Sequence, residues 1–72
     1  MAKITGKAVG ARIRTVRGTM TQEKFAKVIG VKKQNYISRY EKGRIPNPNI
    51  LLKISEFGSV TIDWLLCGDK AK

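Results

Sequence analysis

The chain has 72 residues, 42% of them hydrophobic, and a formal net charge of +10 from 15 basic and 5 acidic side chains. That length sets one domain, residues 1–72, with a small core, and the hydrophobic share argues against a disordered chain. With no histidine and a single cysteine, Cys67, an internal disulfide and a Cys/His metal cluster are excluded, and a charge so one-sided points to a polyanion partner.

Residues 1–6 read as a short arm with Lys3 and Lys7 beside it. It is either a frayed terminus or a basic arm that reaches along a DNA groove. A first helix follows over residues 7–17. Val9, Ile13 and Val16 recur at i, i+4 and i+7, which makes one apolar stripe. Arg12 and Arg14 fall off that stripe and are expected in solvent. Arg17 continues its edge and is expected to point inward. Gly18 ends the helix. Met20, just before Thr21, is placed to pack back on the next helix as a hydrophobic staple.

Thr21 caps a second helix by accepting a bond from a free backbone N–H. Phe25, Val28 and Ile29 fall on one side of it, and Ala26 is small enough for a neighbouring helix to approach closely. Gly30 takes the positive φ that ends the helix, with Val31 as an apolar anchor. A third helix, around residues 33–42, carries Ile37 and Tyr40 inward and ends at Gly43. Its other side shows Lys33, Gln34, Asn35, Ser38, Arg39 and Lys42. Those are long donors and amides, the groups that read base edges and phosphates.

The stretch 43–49, GRIPNPN, is a loop, because prolines and asparagines favour turns. Pro48 suits the first turn of the next helix, where its missing N–H costs nothing. That helix, over 49–57, puts Ile50, Leu51, Ile54 and Phe57 on its core side and is ended by Gly58. Thr61 or its neighbour opens a last short helix. Trp64, Leu65 and Leu66 belong to the core there, and any apolar excess with Val60 serves a dimer contact. The expected fold is therefore all-α, five short helices, with no repeat and no linker.

Catalytic chemistry has no foothold in this pattern. The acids, at 23, 41, 56, 63 and 69, lie far apart and nothing marks two of them as an acid/base pair. Gly6 and Gly10 lack the strand and the Lys-Ser/Thr of a phosphate-cradling loop. No catalytic residue, metal or cofactor is expected. No run approaches the roughly 18 apolar residues of a membrane span, and the glycine- and proline-punctuated helices with their buried stripes argue against a basic peptide acting on membranes, so no membrane partner is expected.

The order of residues in 21–43 resembles the helix-turn-helix of phage lambda repressor and Cro and of the bacterial regulators like them. Gln22 directly after the cap, Ala26, Gly30-Val31, Ile37 and then Glu41-Lys42-Gly43 carry the likeness. It extends over residues 9–68 and includes the closing Val60-Thr61-Ile62-Asp63-Trp64-Leu65-Leu66. One departure is an extra residue between the turn glycine and Glu-x-Gly, somewhere in 31–36. The resemblance implies a lambda-repressor-like domain that regulates transcription in the cytoplasm, of the phage-type or bacterial repressor kind. Its third helix would lie in the major groove of double-stranded DNA. Counting back from Glu41, Gln34, Asn35 and Arg39 fall on the base-reading places. Gln and Asn suit adenine there, and Arg suits guanine. Thr21, Gln22, Lys33, Tyr36, Ser38, Lys42 and Arg44 fall at phosphates or flanks; Tyr36 packing sideways is the other reading of that residue. The resemblance also pairs Arg17 with Glu41, and it implies a homodimer on a palindromic operator. The alternative is an antitoxin-like interaction protein that binds a protein partner and its own promoter, for which only residues 69–72 remain as an extra segment.

Overall fold

The computed structural model describes residues 4–68. Five helices, with no strand among the described residues, follow one another in short steps: α1 Gly6–Arg17, α2 Gln22–Ile29, α3 Gln34–Lys42, α4 Pro48–Gly58 and α5 Ile62–Cys67. The all-α architecture expected from the periodicity is the one present. Lys3 of the basic arm lies outside the described residues.

Local chemistry sets most of the boundaries. Thr5, Thr21, Asn47 and Thr61 each hold an extended backbone and accept, through the side chain, the N–H three residues on, at Ala8, Lys24, Ile50 and Trp64. Each such cap satisfies one of the donors that a helix start leaves orphaned. Thr5 explains why α1 begins at Gly6, inside the expected arm. Pro48 stands in the first turn of α4, as its ring geometry favours. The end of α2 is a glycine stop: Gly30 has φ 80°, its N–H donates to Lys27, and the Val31 N–H donates to the Ala26 carbonyl at 2.8 Å.

The core gathers one stripe from every helix: Val9 and Ile13, Phe25 and Ile29, Ile37 and Tyr40, Leu51 and Ile54, and Leu65, with Ala26 and Val31 closing the α2 end. Met20, Val60, Trp64 and Leu66 are half-buried against it. The central element is α1, which packs on α3, α4 and α5, while α2 packs on α3 and α4.

Several expectations are corrected. Val28 is 49% exposed; the buried side of α2 is Phe25, Ala26 and Ile29, and Val28 lies past its edge. Phe57 is also partly exposed, at 40%, and sets its ring edge-on to Phe25, with centroids 5.6 Å apart. Gly58 does not stop α4. It is the last helical residue, and Ser59 takes the left-handed turn at φ 55°. A Cβ on Gly58 would come within 2.8 Å of Val16, so the glycine serves close packing on α1. Arg12 is not a solvated cation. Its Nη1 donates to the carbonyls of Leu65 and Leu66, at 3.2 and 3.1 Å. A cation there satisfies the orphan acceptors and complements the dipole at the end of α5.

The contact between α1 and α3 is made through glycine. A Cβ on Gly10 would lie 2.6 Å from the carbonyl oxygens of both Tyr40 and Glu41, and one on Gly6 would run into the Gly43 carbonyl. Gly6 and Gly10, one turn apart, thus let α1 rest directly on the backbone at the end of α3. The Gly10→Ala variant tests this. Alanine returns about 1 kcal/mol of helix propensity, but overpacking against rigid backbone costs about 1–3 kcal/mol. The expected urea midpoint is lower than in the parent protein; an unchanged or raised midpoint would show that the helices separate at no cost.

Candidate nucleic-acid interface

α2, its turn and α3 form one unit whose inner side is fixed and whose outer side is free. The turn starts with the left-handed Gly30 and plugs Val31, 8% exposed, into the core. Lys32 forms a bend, Lys33 is extended at φ −129°, and α3 then runs unbroken from Gln34 to Lys42. The segment 31–36 in which the extra residue was expected thus comprises an irregular turn, 31–33, and the first residues of a continuous α3. α3 starts without a side-chain cap.

Its far end is held by a charged cluster. Arg17 Nε donates to Glu41 Oε2 at 2.6 Å and Nη2 donates to Oε1 at 3.1 Å, so the guanidinium meets the carboxylate in two parallel bonds. The side chains are only 15% and 9% exposed. The third edge of the same guanidinium donates from Nη1 to the Met20 carbonyl at 2.7 Å, and Gln22 Nε2 donates to Glu41 Oε1 at 3.2 Å. The hydrogen bond to Glu41, and then the charge of its carboxylate, hold Arg17 above its ordinary pKa against the opposing effect of burial. One carboxylate thus joins the end of α1, the start of α2 and the end of α3.

The residues singled out in the sequence fall around this unit as follows. Gln34, Asn35 and Arg39 are all exposed on α3, with Lys33 just before it and Lys42 at its end. Asn35, Arg39 and Lys42 stand at i, i+4 and i+7 and form its outermost line. Gln34 stands to one side, in a groove shared with Glu23, Ala26 and Lys27 of α2; Ser38, one turn on, is half-buried. Tyr36 stands on the other side, 42% exposed, facing the loop that carries Arg44. Thr21 is exposed, and its oxygen accepts from Lys24 while its hydroxyl hydrogen stays available. Gln22 is half-buried and already spends one amide N–H on Glu41, which leaves it the other. Lys32 was not singled out in the sequence, yet it is exposed in the groove with Lys27 and Lys33. The signal was the Lys32-Lys33 pair in the turn.

Among the described residues no cluster of His, Cys, Asp or Glu is placed to hold a metal ion, and no helix is long and apolar enough to cross a membrane.

The helix-turn-helix family matches the chain over residues 11–65. A solved structure similar to it is the crystal structure of the P22 c2 repressor protein in complex with the synthetic operator 9T in the presence of Tl+. The two are 34% identical, the match covers 85% of this chain and 96% of that one, and the TM-score is 0.78. No curated protein matches.

The three arginines of α1 give a graded test. Arg17→Ala leaves the Glu41 carboxylate without its main partner, and breaking a buried pair in this way costs about 3 kcal/mol or more. Arg12→Ala removes bonds that cap α5, an effect of about 1 kcal/mol. Arg14 is exposed, and its alanine variant should melt with the parent. Thermal melts should rank the variants in that order; equal melting of Arg17→Ala and Arg14→Ala would contradict the cluster's structural role.

Proposed function

The chain belongs to the helix-turn-helix family of the lambda repressor and Cro type, and on that premise we propose that it is a sequence-specific transcription regulator of double-stranded DNA, a phage-type or bacterial repressor. The observation that carries the reading is the outer line of α3. Asn35, Arg39 and Lys42, with Gln34 beside them, are exposed, while the opposite face of the same helix is locked to α1 and α2 through Glu41.

In this reading α3 enters the major groove with its N-terminal half toward the bases. Gln34 and Asn35 pair with adenine, accepting from N6 and donating to N7, and Arg39 donates to O6 and N7 of guanine. Phosphates fall to Thr21, Gln22, Lys33, Ser38, Lys42 and Arg44, with Tyr36 on the flank. For Gln22 the bond to Glu41 is an orienting contact: it fixes the amide so that its second N–H faces outward at the start of α2. Free N–H groups and the positive dipole end of that helix add to the same backbone contact. The net charge of +10 supplies the sequence-independent attraction. The work of the protein is binding, without catalysis.

Selection of bound sites from a random duplex pool tests the reading. One enriched, palindromic sequence is expected, and failure to enrich any sequence would sink it. On that site Arg39→Ala should lose about 1–3 kcal/mol and relax the preference at a single position. A uniform loss with unchanged preference would make Arg39 a phosphate contact.

Two copies should share the site. One reading helix touches few base pairs, and a two-fold pair reads twice as many, with half-sites about 34–36 Å apart. The closing segment offers little with which to dimerise beforehand, since Leu65 is fully buried and Val60, Trp64 and Leu66 are half-buried in the core. A stable interface needs at least about 1,000 Å². Sedimentation should therefore find a monomer or weak dimer at micromolar concentration and two copies on a palindromic duplex; a tight dimer without DNA, or one copy per site, would overturn this.

A further inference from the structure

Among the described residues six large apolar side chains stay exposed: Ile4, Val28, Tyr36, Ile45, Leu52 and Phe57. Two of them come together beside α3. Tyr36, 42% exposed, and Ile45, 40% exposed, line one cleft between the helix and the loop that follows it, with Pro46 beside them. Arg39 and Arg44 line the same cleft and no acidic residue does. Apolar side chains set beside two guanidinium groups in one cleft are a poor seat for a basic or purely apolar partner. It suits a group that is apolar itself but sits among negative charges.

The helix register says where that seat lies. Tyr36 follows Asn35 and precedes Arg39 by one turn, so it stands about 100° around the helix from its neighbour. On a helix lying in the major groove, such a flanking position faces the groove wall rather than its floor. The apolar group offered in the major groove is the C5-methyl of thymine, which no other base carries. We propose that Tyr36 and Ile45 form an apolar seat for one thymine methyl in each half-site, next to the base pair read by Arg39, with Arg44 holding the adjoining phosphate. The proposal rests on the reading of α3 as the DNA-reading helix. It makes Tyr36 a residue that determines sequence preference through shape rather than through hydrogen bonds.

The test changes the DNA by one methyl group at a time. In the selected site each thymine is replaced singly by deoxyuridine, and affinity is measured for the parent protein, Tyr36→Ala, Tyr36→Phe and Ile45→Ala. At one thymine per half-site the parent should lose about fourfold in affinity, the worth of one buried methyl. Tyr36→Ala should bind the thymine and uridine duplexes equally. Tyr36→Phe should keep the preference, because the ring makes the contact, and Ile45→Ala should weaken it. A parent indifferent to uridine at every position overturns the proposal, as does a preference that survives Tyr36→Ala. Loss of the preference in Tyr36→Phe overturns it too, and assigns the hydroxyl to a phosphate. Should Tyr36→Ala fail to give a cooperative melt, the uridine scan of the parent and of Tyr36→Phe decides alone. A duplex pool with no enriched site would remove the DNA reading itself; an enriched site with a flat uridine scan removes only the methyl seat.

Discussion

The carboxylate of Glu41 is the point on which the arrangement of the helix-turn-helix depends. It takes two bonds from Arg17 and one from Gln22, and so fixes three helices to one another. α3 has only nine residues. A helix so short is marginal in water by itself, and its outer side has no protein neighbour to hold it. Everything that orients it must come from the inner side: Ile37 and Tyr40 in the core, the glycines of α1 against its backbone, and the charged cluster at its end. Apolar contacts tolerate sliding. Two parallel bonds from a planar guanidinium do not.

The cluster also suits the electrostatics of the chain. With 15 basic side chains against 5 acidic ones, the folded protein carries a repulsive field that opposes compaction. A carboxylate surrounded by that field gains, and Glu41 makes use of the gain where it is partly shielded from water. The remaining positive charge stays on the surface, on Lys27, Lys32, Lys33, Lys42 and Arg44 among others. There a phosphate backbone would relieve the repulsion on binding. Stability and the proposed function thus make opposite demands on charge, and they are met on opposite faces of the same short helix.

What could be read from the chain follows the range of the interaction. Caps are decided within three residues, so Thr21 was legible at once and Thr61 to within a residue. The glycine stop at Gly30 with its Val31 anchor was equally local. Periodicity chose the buried side of each helix but not its edges, which is why Val28 and Phe57 were placed inside and stand partly outside. Gly58 was read as a stop from residue type alone, although packing on Val16 decides its place and Ser59 makes the turn. Arg12 shows the limit most clearly. Off the apolar stripe, it reads as solvated, and only the arrival of α5, more than 50 residues later, gives it two carbonyls to hold. The Arg17–Glu41 pair spans 24 residues, and it was legible only through the family resemblance. Gly6 and Gly10 were in view, at helical spacing, but were weighed only as a phosphate loop.

The extra residue of the turn shows why the ion pair also sets the proposed reading register. Counting forward from Gly30 and counting back from Glu41 disagree by one residue on α3, and one residue turns a side chain by about 100° around a helix. Counted forward, Lys33, Gln34 and Ser38 would take the base-reading places; counted back, Gln34, Asn35 and Arg39 take them. α3 is continuous from Gln34 to Lys42, and Glu41 is bound to Arg17 and Gln22, so the helix is fixed in rotation at its far end. The turn is irregular, with Lys32 in a bend and Lys33 extended. A length change there is absorbed before the helix begins and leaves its rotation untouched. The proposed reading therefore counts from Glu41, the end of α3 that is bonded to α1 and α2. It agrees with the exposure pattern as well, since Ser38 is half-buried whereas Asn35 and Arg39 are open to solvent.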